Sequence, residues 1–307
     1  MSRPIDPDPE GREPQSGPKA REPRGAGRAS PPLEGGLYVV ATPIGNLRDI
    51  TLRALDVLGG ADLVLAEDTR VARKLLDAFS LSPQVTSYHE HNAESARPKV
   101  LAALAAGKTV ALISDAGTPL ISDPGYKLVR DAAAAGHRVF PIPGASALLS
   151  GLVVAGLPTD RFLFAGFAPS KAGARATFFD ELADISATLV FYETGPRLKA
   201  SLEAMHAAFG DREAAVGREL TKFFEEVRRG RLSALAAAID VDPKGEIVVV
   251  VAPPEEKPVG DEAALDAALR RFLPSHPVKE AARLAAEETA VMRRDAYARA
   301  LILKDQA

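Results

Sequence analysis

Short apolar runs alternate with amphipathic helical segments from Gly36 to Ile142, and this alternation limits the possible folds more than any other feature of the chain. Strands are predicted at 37–42, 62–66, 84–88, 109–114 and 138–142. Helices are predicted at 52–58, 70–79, 93–106 and 126–135. Strand and helix alternation at this spacing is typical of crossover units, so it predicts a mostly parallel sheet. Ligands of such sheets bind beyond the carboxyl ends of the strands.

A second set of elements follows the sequence Gly156-Leu157-Pro158, which we interpret as a hinge between two domains. Its strands are predicted at 162–166, 188–192, 213–219, 225–229 and 246–252, with one helix beginning near Lys171 or Ala174 and another at 196–209. A proline-rich linker at 253–258 and helical composition at 261–304 follow. We therefore expect an α/β chain with domains at 36–155 and 156–254 and a helical appendage at 261–307.

Composition excludes several classes of protein. Residues 1–35 are rich in Pro, Gly and charged residues, so we predict a disordered extension there. The 307-residue chain has no cysteine, which excludes disulfides, thiolate metal sites and cysteine nucleophiles. It shows neither a signal pattern nor an apolar run of roughly 20 residues, so we expect a soluble cytoplasmic protein with no membrane partner. A net charge of −3 decides nothing about RNA, because a local basic patch can still attract a polyanion.

Five polar runs lie at or near predicted strand ends and together outline a cleft. They occupy residues 42–49, 67–70, 88–92, 114–125 and 143–146. The longest, SDAGTPLISDPG, follows the apolar strand 109–113. Its small, turn-forming residues present backbone N–H and C=O groups, which suits a polar cofactor. Each run taken singly is equally compatible with ordinary turn chemistry.

Three common kinds of site are poorly supported by these runs. The chain has neither the Gly-x-x-x-x-Gly-Lys-Ser/Thr pattern nor a Gly-x-Gly-x-x-Gly that opens a helix, so phosphate cofactors are disfavoured. Ser146 lacks the Gly-x-Ser-x-Gly context of a hydrolase nucleophile and is predicted to lie near a helix start. His89 and His91, with Glu90 and Glu94, have no further ligand placed by the sequence, so no metal site is predicted.

Several runs between residues 36 and 303 occur in a distinctive order. They are ATPIGNLRDIT at 41–51, AEDTR at 66–70, HEHN at 89–92, SDAGTPLISDPG at 114–125, PGAS at 143–146, FYETGPR at 191–197, GRELTK at 217–222 and GEIVVV at 245–250. In this order they resemble the ribosomal RNA small-subunit methyltransferase I family of the tetrapyrrole-methylase superfamily. Long ordered runs are far more specific than a lone glycine motif.

The resemblance implies 2′-O-methylation of a cytidine ribose in 16S rRNA at the decoding centre, with S-adenosylmethionine as cofactor and no metal. It also implies two α/β domains of tetrapyrrole-methylase type with the cofactor in the cleft between them, a homodimer, and 16S rRNA or the small ribosomal subunit as partner. The cofactor contacts that it implies are Asp115, Ala116, Gly117, Thr118, Ile121 and Ser122 in the first domain and Tyr192, Leu220 and Gly245 in the second.

The proton acceptor stays open at this stage. Glu67 is favoured and His91 is a second candidate, but pairing of Glu67 or Asp68 with Arg70, or capping of the following helix, is an equally supported interpretation. The candidate RNA contacts are Arg48, Asp68, Arg70, His89, Lys171, Arg293 and Arg294. The last two belong to a segment at 278–301 that resembles a helix-turn-helix, for which packing or dimer stabilisation is the alternative to RNA docking.

Two other functions are compatible with the same fold. One is a small-molecule methylase acting on a tetrapyrrole, which the ordered match to the RNA-modifying branch and the basic appendage disfavour. The other is a noncatalytic ribosome-assembly factor, which measurement of S-adenosylmethionine binding would separate from an enzyme.

Overall fold

The computed structural model describes residues 32–239, 241–254 and 262–305. Most of the predicted N-terminal extension, residues 1–31, lies outside the described residues, as do residues 255–258 of the predicted linker.

The first half of the chain forms a five-stranded sheet in which every pair of neighbouring strands is parallel. Its elements are β1 (Gly36–Val40), α1 (Leu52–Gly60), β2 (Leu63–Ala66), α2 (Thr69–Ala78), β3 (Val85–Ser87), α3 (Ala93–Ala105), β4 (Thr109–Ile113), α4 (Tyr126–Ala134) and β5 (Val139–Ile142). The strand order is β3-β2-β4-β1-β5. The central strand β4 is buried at every position, as its unbroken apolar sequence requires between two helical layers. The predicted α/β class and parallel sheet are confirmed.

The second half forms a mixed five-stranded sheet. Its elements are α5 (Ala147–Ala155), β6 (Phe162–Phe167), α6 (Ala172–Asp180), β7 (Thr188–Thr194), α7 (Gly195–Phe209), β8 (Glu213–Arg218), β9 (Glu226–Arg231), α8 (Leu232–Ala237) and β10 (Glu246–Val251). The order is β6-β7-β10-β8-β9, and only β6 and β7 pair in parallel. All the strands predicted for this half are present within a few residues of their predicted bounds.

Helix α5 starts where the sequence predicts a helix start, near Ser146, but its extent was not predicted. Its sequence ALLSGLVVA is apolar on nearly every side, so it shows no helical period that would distinguish it from a buried strand. It packs on the second sheet, where Leu152 lies in one cluster with Val190 and Val248. At Gly151 a Cβ would lie 2.5 Å from Cγ1 of Val248, so the close approach of helix and sheet requires glycine.

Helices cover both faces of each sheet. In the first, α1 and α2 pack on one face and α3 and α4 on the other. In the second, α5 covers one face, while α6, α7 and α8 cover the other around Phe179, Phe191 and Leu202. The predicted domain boundary at residue 155 falls at the end of α5, the helix that follows the first sheet in the sequence and packs on the second sheet.

The appendage consists of α9 (Glu262–Phe272), α10 (Val278–Thr289) and α11 (Arg293–Asp305), which share a small core of their own that includes Leu265, Leu269 and Ala285. Helix α10 ends at Ala290, whose φ of 56° turns the chain into α11. The predicted helices of the appendage are confirmed. None of the helices in the described part of the chain is long and apolar enough to cross a bilayer.

Candidate active site

A cavity of about 290 Å³ lies where the loops at the carboxyl ends of β1, β4 and β5 face strands β7 and β10 of the second sheet. All nine residues for which the resemblance implies cofactor contact line this one cavity: Asp115, Ala116, Gly117, Thr118, Ile121, Ser122, Tyr192, Leu220 and Gly245. The first six come from one sheet and the last three from the other. Residues far apart in the sequence therefore meet at one place, although their role in binding stays a prediction.

Further residues line the cavity that the sequence did not single out for it. They are Ile44, Asp123, Ser146, Ala147, Phe167, Glu193, Thr194, Glu246, Ile247 and Val248. Most of them lie inside the sequence runs that carry the family resemblance, so membership of those runs was the signal that could have identified them. Ser146 immediately precedes α5, which agrees with its predicted position near a helix start.

The loop after β4, residues 114–125, is held by hydrogen bonds to the loop after β1. The backbones of Thr42 and Gly117 exchange two N–H···O bonds of 2.9 and 3.1 Å. The Thr42 hydroxyl also donates to the carbonyl of Ser114 at 3.2 Å, and Thr118 Oγ1 donates to the carbonyl of Ala145 at 3.2 Å. These bonds fix the loop as one wall of the cavity.

The same loop contains residues in the left-handed region of backbone conformation. Gly117 has φ 81°, while the non-glycine residues Leu120 and Ser122 have φ 73° and 66°. Such conformations cost free energy in a residue with a Cβ and persist where surrounding contacts hold them. A Cβ at Gly117 would lie 3.3 Å from Cγ2 of Ile44, another residue of the cavity.

Tyr192 on β7 forms the opposite wall. Its phenol oxygen accepts a hydrogen bond of 3.0 Å from the backbone N–H of Leu148, in the first turn of α5. Its ring packs edge-on against Phe164 and Phe167 of β6, with ring centroids 4.7 and 5.6 Å away. Burial raises the pKa of the Tyr192 phenol, so the group stays neutral at physiological pH.

Gly245, which precedes β10, makes room for an acidic side chain. Its φ is 101°, and a Cβ there would lie 2.2 Å from Oε1 of Glu219. That oxygen accepts hydrogen bonds from the backbone N–H of Glu246 at 3.1 Å and from Nζ of Lys222 at 2.8 Å. The bond from Lys222 holds the pKa of Glu219 below its usual range. The turn after β8 is thereby tied to the start of β10.

Glu193 is a charged residue of the cavity wall that is almost fully buried, with 2% of its surface exposed. Its oxygens accept hydrogen bonds from Oγ of Ser201 at 2.5 Å and from the backbone N–H of Thr194 at 2.9 Å. Arg197 on α7 lies 3.2 Å from the same carboxylate. Because a buried carboxylate needs such partners, Glu193 joins β7 to α7 at the edge of the cavity.

Three carboxyl groups, those of Glu67, Asp115 and Asp123, lie in or near the loop after β4. Burial raises the pKa of the Asp123 carboxyl to about 6, and the nearby negative charge of Glu67 contributes to the rise. Burial also raises the pKa of Glu67, the charge of Asp115 adds to that effect, and His89 opposes it. Asp123 lies in the cavity wall, whereas Glu67 directly follows β2 and does not line the cavity.

Asp68 has a clear structural role. It is the N-cap of α2, where its Oδ1 accepts a 2.8 Å hydrogen bond from the backbone N–H of Arg70, and it forms an ion pair of 2.6 Å with the same arginine. This pairing and capping is one of the two interpretations that the sequence left open. The Glu67 side chain is not part of it.

The run at 88–92 forms the turn that leads into α3. Asn92 Oδ1 accepts a hydrogen bond from the backbone N–H of His89, and its Nδ2 donates to the carbonyl of Ser87. Neither His89 nor His91 lines the cavity. Within the described ranges, no group of three or more His, Cys, Asp or Glu side chains is arranged to hold a metal ion.

A second cavity of about 340 Å³ adjoins the first and shares Ile44, Asp115, Ala116 and Glu246 with it. Its wall includes Lys74 and Lys222 beside apolar side chains such as Leu47 and Leu75. The wall also carries the carboxyl groups of Asp115 and Glu246, and Lys222 pairs with Glu246 at 3.1 Å, so apolar surface and paired charges lie next to the first cavity.

The remaining candidate RNA contacts are dispersed. Arg48 lies in an exposed 3-10 turn at Leu47–Asp49 near the cavity, and Lys171 is exposed at the start of α6. On α11, the Arg293 side chain is 69% exposed and pairs with Glu287, while that of Arg294 is 86% exposed and pairs with Asp295. The neighbouring Arg299 points elsewhere, because its guanidinium makes two 2.6 Å bonds to Asp266 of α9.

Comparison with known proteins identifies relatives by sequence. Residues 36–236 match the family model of tetrapyrrole (corrin/porphyrin) methylases, and residues 259–304 match that of the RsmI C-terminal HTH domain. Ribosomal RNA small subunit methyltransferase I of Mesorhizobium japonicum is 55% identical over 278 residues, which cover 89% of this chain and 94% of the relative. The protein of the same name from Pseudomonas aeruginosa is 46% identical, covering 87% and 97%.

The chain belongs to the ribosomal RNA small subunit methyltransferase I family. It is thus a tetrapyrrole-methylase-type α/β protein, as the ordered runs indicated.

Solved structures agree on the fold. Uroporphyrin-III C-methyltransferase of Thermus thermophilus is similar with a TM-score of 0.52 and 23% identity, covering 70% of this chain and 94% of that one. Diphthine synthase is similar with a TM-score of 0.53 and 19% identity, covering 70% and 89%. At this level of identity the likeness establishes the common fold and nothing about the substrate.

Proposed function

We propose that the protein transfers a methyl group from S-adenosylmethionine to the ribose 2′-hydroxyl of a cytidine in 16S rRNA, at the decoding centre. The observation that carries the proposal is the single cavity built from both sheets, which collects every residue implied for cofactor contact. Family membership supports it, because relatives matched over almost their whole length are named small-subunit rRNA methyltransferases.

The cavity suits S-adenosylmethionine in shape and charge. Small residues such as Ala116, Gly117 and Gly245 leave backbone groups accessible, and Ile247 with Val248 supplies an apolar surface for an adenine ring. The carboxyl groups of Asp115 and Asp123 complement a positive sulfonium. When bound, this cofactor supplies an activated methyl group on its sulfonium.

The residues of the cleft then have to orient a ribose hydroxyl and remove its proton. Positioning of the two reactants contributes the larger share of such an acceleration, and a general base adds a further factor. We assign the proton acceptor to Glu67, which adjoins Asp68, the residue whose backbone N–H is bonded to Asp115 of the cavity wall. Burial and the charge of Asp115 raise the pKa of Glu67 and thereby its basicity. His91 is the second candidate, in an exposed turn outside the cavity.

RNA contact is assigned to cations on both sides of the cleft and on the appendage. Arg48 follows Leu47 of the second cavity, and Lys171 is exposed at the start of α6. Arg293 and Arg294 are exposed at the start of α11, each beside a carboxylate. Arg70 contributes while paired with Asp68, and His89 lies on the adjacent turn. We expect the reaction to take place in the cytoplasm, on rRNA or the small subunit, and the enzyme to act as a homodimer.

The deciding experiment maps 2′-O-methyl marks on 16S rRNA by mass spectrometry, from cells with and without the gene. The expected result is one ribose-methylated cytidine that disappears with the gene and returns with the wild-type protein but not with the Gly117→Leu variant. An unchanged set of marks would contradict the proposal. Calorimetry separates the remaining functions: absence of S-adenosylmethionine binding would indicate an assembly factor, and binding without an rRNA mark would favour a small-molecule methylase.

A further inference from the structure

Two adjacent phenylalanines are presented to solvent between β8 and β9. Phe223 is 93% exposed and Phe224 is 66% exposed. Their rings stand at right angles, with centroids 5.0 Å apart. Other phenylalanines such as Phe179 and Phe191 are completely buried. Large apolar side chains are normally buried, so an exposed apolar patch marks a surface that another molecule covers. We call Phe223 and Phe224 the aromatic pair.

The loop that carries the aromatic pair is held in one shape. Glu219 and Thr221 adopt φ 49° and 69°, in the left-handed region that non-glycine residues rarely occupy. The backbone N–H of Thr221 donates to Oε2 of Glu225 at 2.6 Å, and that of Lys222 donates to the carbonyl of Glu219 at 3.0 Å. Backbone strain maintained by such contacts concentrates at functional sites. The exposure of the aromatic pair is therefore built into the fold.

The loop also places the aromatic pair at the rim of the active-site cleft. Leu220, three residues before Phe223, lines the first cavity, and Lys222 lines the second. The stem of Lys222 lies so close to Gly45 that a Cβ there would be 2.3 Å from its Cγ. The rim thus continues from the aromatic pair to the exposed turn that carries Leu47 and Arg48.

We propose that the aromatic pair stacks on unpaired bases of the RNA strand next to the methylated nucleotide. The inference rests on the proposed function, because a ribose that reaches the cavity brings its neighbouring nucleotides across this rim. Aromatic side chains bind single-stranded RNA by stacking on base faces, which a duplex keeps covered. Continuity of the rim with both cavities, through Leu220 and Lys222, favours RNA over a second copy of the chain as the occupant.

Substitutions that keep the apolar character but remove the rings test the proposal. The variant Phe223→Leu/Phe224→Leu is compared with Phe223→Tyr/Phe224→Tyr, which keeps two rings. Phe162→Leu is the control, since it alters a half-exposed phenylalanine at the far end of β6. The measurements are KM for small subunits isolated from cells that lack the gene, Kd for a single-stranded 16S rRNA fragment, and Kd for S-adenosylmethionine.

We expect the leucine pair to raise the RNA Kd and KM roughly tenfold or more, and the tyrosine pair to restore both. Binding of S-adenosylmethionine stays unchanged, and Phe162→Leu behaves as wild type. Equal RNA affinity of the leucine pair and the wild type would overturn the inference. So would a change from dimer to monomer in sedimentation of the leucine pair, which would assign the surface to a second copy of the chain.

Failure of the proposed function gives a different pattern. A wild-type protein that leaves no mark on rRNA, but still binds the fragment through the aromatic pair, would contradict the assigned reaction alone.

Discussion

The backbone N–H of Asp68 donates a 3.0 Å hydrogen bond to Oδ1 of Asp115 and so joins the loop after β2 to the loop after β4. The bond keeps Asp115, a residue of the cavity wall, close to the loop that carries Glu67. Burial raises the pKa of Glu67, and the charge of Asp115 adds to the rise. The position of the proposed base relative to the cofactor site depends on this bond.

Replacement of Glu67 by Gln is expected to lower kcat by about 10²–10⁴-fold with little change in the Kd of S-adenosylmethionine, because it removes the proton acceptor and keeps the shape. Steady-state kinetics and calorimetry check the two quantities. Asp77→Asn is the control, since it neutralises an exposed carboxyl group on α2 that lines neither cavity. If Glu67→Gln keeps nearly full kcat, the base is elsewhere, and His91→Asn is the next variant to measure.

The pH profile tests the same assignment. Activity should fall as the pH drops through the raised pKa of Glu67, because protonation removes the base. In Asp115→Asn the removal of a negative charge lowers that pKa, so the acid limb of kcat/KM should move to lower pH. The asparagine keeps Oδ1 as an acceptor for Asp68. An acid limb that does not move would show that Glu67 does not govern it.

Replacement of Gly117 by Leu is expected to abolish S-adenosylmethionine binding while the chain still folds. The new side chain would enter the cavity beside Ile44, and the φ of 81° adds a strain of about 1–2 kcal/mol. Gly107→Leu is a matched control, because Gly107 has φ 77° and a Cβ there would have no atom within 4 Å. Calorimetry and thermal unfolding separate the effects. Equal cofactor affinity in both variants would show that the pocket lies elsewhere.

Asp123→Asn is expected to stabilise the protein at neutral pH. The pKa of this carboxyl is about 6 in the folded chain against 3.8 for the free group, so ionisation disfavours the folded state. The advantage of the variant in free energy of unfolding should be small near pH 4, grow up to about pH 6, and level off above it at about 2–3 kcal/mol. Urea denaturation across this range provides the measurement. Asp77→Asn, an exposed carboxyl on α2, is the control, and a constant difference between wild type and Asp123→Asn would contradict the assignment.

Replacement of Arg293 and Arg294 by Ala is expected to weaken RNA binding and reduce its salt dependence. Removal of each phosphate contact should lower the slope of log K against log salt by about 0.7 to 0.9. The double variant Lys108→Ala/Arg138→Ala removes the same charge at the amino ends of the first sheet's strands, away from the cleft. Equal slopes for the two double variants would assign α11 to packing.

Much of the fold follows from local pattern. Most strands of the first sheet were predictable because they are short apolar runs followed by a turn; β3, with the sequence Val-Thr-Ser, is the exception. The rule that ligands bind at the carboxyl ends of parallel strands correctly placed the polar runs at one edge of the sheet. For helix α5 only the start near Ser146 was predictable, since an apolar helix without a polar face has no period that would show its extent.

The site was predictable only where residues lie in long runs. Gly117 and Tyr192 belong to such runs and meet at the cavity. The network of Glu193 with Ser201 could not be foreseen, because it depends on how α7 packs on β7. The pKa of Asp123 likewise depends on burial and on the charge of Glu67, a residue distant in the sequence, which no local pattern reports.

The packing of helix α5 determines where the two halves of the protein are joined. The chain that leaves the first sheet gives its next helix to the second sheet, where Gly151 touches Val248 and Leu148 donates to Tyr192. Helix α5 thus packs with the second sheet, and the chain between the two halves is the short segment of residues 143–146. A change in the angle between the two sheets would have to be taken up by these four residues, of which Ser146 lines the cavity.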